Sequence, residues 1–87
     1  MNDETLMEFP CSFPIKLMGN DKPEFHRTVR ELVENHTGPL DDAVIQSSLS
    51  RNGRFVSITV TITARSQQQL DDIYRDAKAH DDVLMAL

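Results

Sequence analysis

From Phe55 to Ala64 apolar and polar side chains take turns, with Val56, Ile58, Val60 and Ile62 on one face and Ser57, Thr59, Thr61 and Thr63 on the other. This is the period of a strand with one buried face. A shorter alternation, Phe13, Ile15 and Leu17 against Pro14, Lys16 and Met18, predicts a first strand over Phe13 to Met18. Ala43 to Leu49 alternates weakly and is mostly polar, as suits a strand at a sheet edge. Between it and the strong strand lies Ser50-Arg51-Asn52-Gly53-Arg54, whose Asn-Gly step favours a hairpin. Val83 to Leu87 predicts a short last strand with Val83 and Met85 turned inward.

Two segments follow a helical period instead. Phe25, Val29, Leu32, Val33 and His36 recur on one face while Arg27, Arg30, Glu31 and Glu34 take the other, and Pro23 sits where a first helical turn tolerates it. Gly19-Asn20-Asp21 breaks the preceding strand and offers an N-cap oxygen, and Gly38-Pro39 ends the helix. Ser66-Gln67-Gln68-Gln69 has the spacing of a capping box. It opens a second helix with the stripe Leu70, Ile73, Tyr74 and Ala77, an Asp71–Arg75 pair, and His80 at the negative end.

The order strand, helix, strand, strand, helix, strand predicts an α+β fold of the ferredoxin-like split βαβ type. Both helices cover one face of a four-stranded antiparallel sheet in the order 4-1-3-2. The other face, with Lys16, Met18, Ser57, Thr59, Thr61 and Thr63, is left open and rich in threonine. A chain of 87 residues supports one thin core, so residues 1–87 read as a single domain, with residues 1–8 as a flexible tail.

Nine basic against fourteen acidic residues give a net charge of −5. That charge repels polyanions and, with no row of aromatics on the open face, argues against nucleic acid. No apolar run approaches the ~18 residues of a membrane span. A lone cysteine, Cys11, and the absence of an export leader point to the cytoplasm.

Candidate chemistry is sparse. His26, His36 and His80 lack metal-ligand spacing, so neither a metal nor another cofactor is expected. Cys11 lies between two prolines in an expected loop, and Asp71-Asp72 and Asp81-Asp82 read as solvated charges, so no catalytic residue is assigned. There is no Cys-x-x-Cys after the first strand, as a metallochaperone of this topology needs, and no arginine for an anion cradle there. Gly19, Asn20 and Asp21 are the one candidate ligand site, because glycine admits close approach and a helix start offers free amides.

Glu8-Phe9-Pro10 with Phe13, Lys16 and Met18-Gly19, then Val56 to Ile62 with Ala64, and Val83-Leu84-Met85-Ala86-Leu87 together resemble the YbeD-like family of small bacterial proteins. The resemblance spans nearly the whole chain. It implies a ferredoxin-like fold similar to ACT domains, no established activity, and no catalytic residues to transfer. It also implies a regulatory role, the usual conjecture for the family, and, from the genes that neighbour the family's own, a link to lipoate metabolism. Of the ACT ligand loop only Gly19 carries over, with Asn20 and Asp21 as local additions.

Residues and resemblance together point to a non-enzymatic regulatory or adaptor domain. Such a domain acts through an unknown protein partner or as a homodimer, by way of the outer strand and open face. The alternative is a sensor that binds a metabolite at Gly19, Asn20 and Asp21.

Overall fold

The computed structural model describes residues 7–87; of the tail expected over residues 1–8, residues 1–6 lie outside the described residues. Strand β1 spans Cys11–Asn20, helix α1 Pro23–Thr37, β2 Ile45–Leu49, β3 Phe55–Ala64, helix α2 Gln67–Ala79, and β4 Met85–Ala86. The strands form one antiparallel sheet in the order β2-β3-β1-β4, the order expected from the sequence.

β1 and β3 form the spine, in register from Cys11↔Ala64 to Asn20↔Phe55. Their inward side chains lie rung against rung: Phe13 with Ile62, Ile15 with Val60, Leu17 with Ile58. Above them Phe25, Val29, Leu32 and Val33 of α1 and Leu70, Ile73 and Ala77 of α2 complete a single buried cluster. Each large aliphatic side chain fully withdrawn from water contributes about 1.5–3 kcal/mol, so this one layer between helices and sheet carries the fold.

Local signals account for the helix ends, with differences of detail. The Ser66 hydroxyl accepts from the Gln69 amide at 3.1 Å, as a capping box requires. The Gln69 side chain reaches back to the Arg65 amide at 2.8 Å rather than to that of Ser66, and its Nε2 also donates to the His36 carbonyl at 2.9 Å. One side chain thus closes α2 and ties it to the last turn of α1. The start of α1 departs from expectation, because Lys22 is its N-cap and no side chain caps it. The Asp71–Arg75 pair is replaced by Asp72–Arg75, while Asp71 accepts from Gln67 at 3.0 Å.

Three strand assignments are corrected. The second strand begins at Ile45, because Asp41 accepts from the Ala43 amide at 2.9 Å and turns Asp42–Val44 into a short 3-10 helix. Cys11 belongs to β1, opposite Ala64, and not to a loop. The last strand is shorter than expected, and although Val83 packs against the core as expected, the strand itself is one position out of phase. Ala86 pairs with Leu17 and lies partly buried on the core, whereas Met85 pairs with Met18 and faces outward, half exposed. Leu87, bonded through its main chain to Lys16, is exposed as well. A single-residue slip of register exchanges the two faces of a strand, and it moves Met85 out of the core.

Replacing Met85 by alanine therefore changes stability by no more than about 0.5 kcal/mol, whereas Ile15→Ala lowers it by about 2–5 kcal/mol. Urea denaturation of the two variants checks the register; a core-sized loss from Met85→Ala would place Met85 inside.

Candidate functional site

Of the two edge strands of the sheet, β2 is the longer, and its geometry is set by the turn that precedes β3. The Gly53 amide donates to the Ser50 carbonyl at 2.9 Å, and the Ser50 amide to that of Phe55 at 2.8 Å. Gly53 takes a positive φ of 73°, whereas Asn52 does not, so the loop is longer than the two-residue Asn-Gly turn. Asn52 instead holds it from the side, accepting from the Arg54 amide at 3.2 Å and from the Ser50 hydroxyl at 3.0 Å.

Antiparallel partners alternate between pairs that exchange main-chain hydrogen bonds and pairs that do not. With Ser50 bonded to Phe55, the main-chain groups of Ser48 and Gln46 face Ser57 and Thr59, and those of Ile45, Ser47 and Leu49 point away from the sheet. The Ile45 amide is taken by the Asp42 carbonyl. This leaves the amides of Ser47 and Leu49 and the carbonyls of Ile45, Ser47 and Leu49 along the open edge. The strand Ile45-Gln46-Ser47-Ser48-Leu49 carries no charge and no proline, and its register with β3 is unbroken by a bulge. Those are the devices by which edges are ordinarily blunted. Leu49, on the helix-bearing face, is exposed.

The segment that leads into β2 is clamped onto α1. Arg30 Nη1 donates to the Leu40 carbonyl at 2.9 Å and to Glu34 at 3.2 Å, Arg30 Nη2 bonds Asp42, and Glu34 accepts from the Leu40 amide at 2.9 Å. The polar face of α1 thus aims the edge strand.

The sequence-derived ligand candidates fall in two places. Gly19 and Asn20 are the last residues of β1, opposite Val56 and Phe55, not part of a loop. Gly19 is buried, and a Cβ there would stand 2.6 Å from both the Phe25 ring and the Asp82 carbonyl. Close approach at this glycine is made by the chain's own phenylalanine. Asn20 and Asp21 are exposed at the end of the sheet; the Asp21 amide donates to the Arg54 carbonyl at 3.1 Å, and its carboxylate meets His26 at 3.1 Å.

The other two histidines each have a partner. His36 meets Asp76 across the two helices at 2.6 Å, and His80 accepts from the Asp82 amide at 3.1 Å. Among the described residues no three histidine, cysteine or acidic side chains are grouped as metal ligands would be. Asp72 has its carboxyl held below the ordinary carboxylate value, first by the Gln68 amide and then by Arg75. Tyr74 has its phenol pushed above the ordinary value by burial.

The open face is less uniformly polar than its threonines suggested. Over β2 and β3 it carries Gln46, Ser48, Ser57 and Thr59 around Lys16, and the Ser57 hydroxyl is closed off from solvent without a hydrogen-bond partner. Over β1 and β4 it carries Met18, Met85 and Leu87. The phase of β4 is what gathers these, and no sequence signal fixed that phase.

A family profile described as "Protein of unknown function (DUF493)" matches residues 4–87. The chain is 45% identical to a UPF0250 protein of Chromobacterium violaceum over 89 residues, covering all of both chains. It is 40% identical to one of Nitrosomonas europaea over 87 residues, again in full, and 41% identical to one of Paraburkholderia phytofirmans over 98% of this chain and 96% of the relative. Among solved structures it is similar to the solution structure of a protein from H. pylori, with TM-score 0.76 and 20% identity over 94% of this chain and 86% of that one. The last likeness concerns the fold. Among the described residues, no helix is long and apolar enough to cross a membrane.

Glu34→Ala leaves the Leu40 amide and Arg30 without their shared acceptor and lowers stability by about 1–3 kcal/mol, with faster hydrogen exchange at Leu40; unchanged exchange there would show that the clamp does not hold the segment. Tyr74 donates to the main-chain oxygen of Leu87 at 2.8 Å and sets its ring edge-on to Phe13. Its raised phenol value means a contribution present below the ordinary tyrosine range and lost as pH rises through the folded value. Tyr74→Phe costs about 0.5–1 kcal/mol at neutral pH and flattens the alkaline fall of the melting temperature; an identical alkaline limb in the variant would assign that fall elsewhere.

Proposed function

The chain belongs to the DUF493 family, proteins of unknown function, and we propose that it serves as a non-enzymatic regulatory or adaptor domain that adds its open edge strand to a strand of a protein partner. The observation that carries this reading is the β2 edge. It presents main-chain donors and acceptors at Ser47 and Leu49, lacks charge, proline and bulge, and is held in position by the Arg30–Glu34 clamp. Strand addition draws affinity from such main-chain groups and specificity from the alternate side chains beside them. Here those side chains are Ile45, Ser47 and Leu49 on the helix-bearing face and Gln46 and Ser48 on the open face.

The reading does not draw on the histidines, carboxylates or thiol of the described chain. A place in lipoate metabolism, which the sequence resemblance implies, would tie the domain to an enzyme of that pathway.

The amide of Ser47 faces the open edge, so proline at that position leaves the β3 ladder intact while removing an edge donor. Tagged wild-type protein and Ser47→Pro, both verified as folded by their melting curves, are used for capture from the native lysate. The expected result is one protein recovered at fixed ratio by the wild type and lost from the variant. Equal recovery from both, or none from either, would defeat the reading.

A further inference from the structure

The edge strand is nearly its own complement. Read outward from Ser47, β2 has serine or glutamine at the next position on either side, Gln46 and Ser48, and a large aliphatic residue beyond, Ile45 and Leu49. Laid antiparallel against a second β2 about a two-fold axis at Ser47, the strand puts Ser47 opposite Ser47, Ile45 opposite Leu49, and Gln46 opposite Ser48. On the helix-bearing face two Ile45–Leu49 pairs then flank the central Ser47–Ser47 pair, and on the open face hydrogen-bonding side chains meet, as favourable cross-strand pairs do.

The main chain selects the same register. Only Ile45, Ser47 and Leu49 point their main-chain groups at the open edge, and this pairing sets those three positions against one another. A register shifted by one residue would set them against residues whose groups are already used by β3. The amide missing from the ladder, that of Ile45, is bonded within its own turn to Asp42.

The flanks are complementary in charge. Asp41 and Asp42 precede β2, and Arg51 and Arg54 follow it. Antiparallel pairing runs the start of one strand alongside the end of the other, so the acidic pair of one copy comes beside the basic turn of its partner, at both ends of the ladder. Interfacial charge of this kind fixes register and speeds encounter. Leu49, exposed in the single chain, is covered by Ile45 of the second copy.

We infer that the partner of the β2 edge is a second copy of this chain, joined Ser47 to Ser47 in an antiparallel two-fold pair that makes one continuous eight-stranded sheet with all four helices on the same face. The inference rests on the edge-pairing reading above and names its partner.

The test uses the purified wild-type chain, its Ser47→Pro variant, and the charge variants Arg51→Glu and Asp41→Lys, in analytical ultracentrifugation with hydrogen exchange read residue by residue. A wild-type dimer is expected, with slow exchange at Leu49, and Ser47→Pro weakens self-association by more than about tenfold. Arg51→Glu weakens it roughly two- to fivefold, and adding Asp41→Lys to Arg51→Glu restores it. A wild-type chain that stays monomeric at millimolar concentration overturns the inference; if such a monomer still captures a lysate protein in a Ser47-dependent way, the edge reading survives without it. A dimer indifferent to Ser47→Pro also overturns it, because the copies then meet through another surface.

Discussion

The pairing of β1 with β3 is the constraint on which everything else hangs. It is long, unbroken and flanked on both sides, so its rungs fix which side chains form the floor of the core. Because alternate positions of a strand face opposite ways, choosing Ile15, Leu17, Ile58 and Val60 for the inside commits Lys16, Met18, Ser57 and Thr59 to the outside without further instruction. The helices then have one surface to cover, and each arrives with a stripe of matching width. The open face is a by-product of that choice rather than a separate design.

The two flanking strands are stabilised differently. β2 is held through the hairpin and through the Arg30–Glu34 clamp, which fastens its approach to α1. β4 is held by main-chain bonds between Lys16 and Leu87 and between Leu84 and Met18, and by Tyr74 reaching Leu87 from α2. One edge is thus secured by polar contacts from the first helix and the other by a phenol from the second. The two edges share the β1–β3 spine and the core, but each has its own polar fastening.

Most of the fold was legible because its signals are local and have a definite phase. The alternation of β3, the stripe of α1 and the box at Ser66 each specify both an element and its orientation. Val83 to Leu87 fails this test: it is apolar at every position, so its period is silent about which residues turn inward. The answer came from the pairing of Ala86 with Leu17, a contact between the two ends of the described chain. The candidate site divides in the same way. An edge position for β2 could be read from its polar character, but which of its amides face outward depends on the loop closing at Ser50 and Phe55. The breaker reading of Gly19 failed because its cause is tertiary, a ring six positions further on folding back against the strand.

That contact ties position 19 to two others in the history of this fold. The space beside the glycine is filled by the phenylalanine ring and by the Asp82 main-chain carbonyl, so a side chain there needs both the ring and the turn before the last strand to give way. Lineages that keep a large aromatic at the start of the first helix are therefore bound to keep glycine near the end of the first strand. A lineage that trades the ring for something smaller still meets the carbonyl, so along a family tree the glycine outlasts the aromatic.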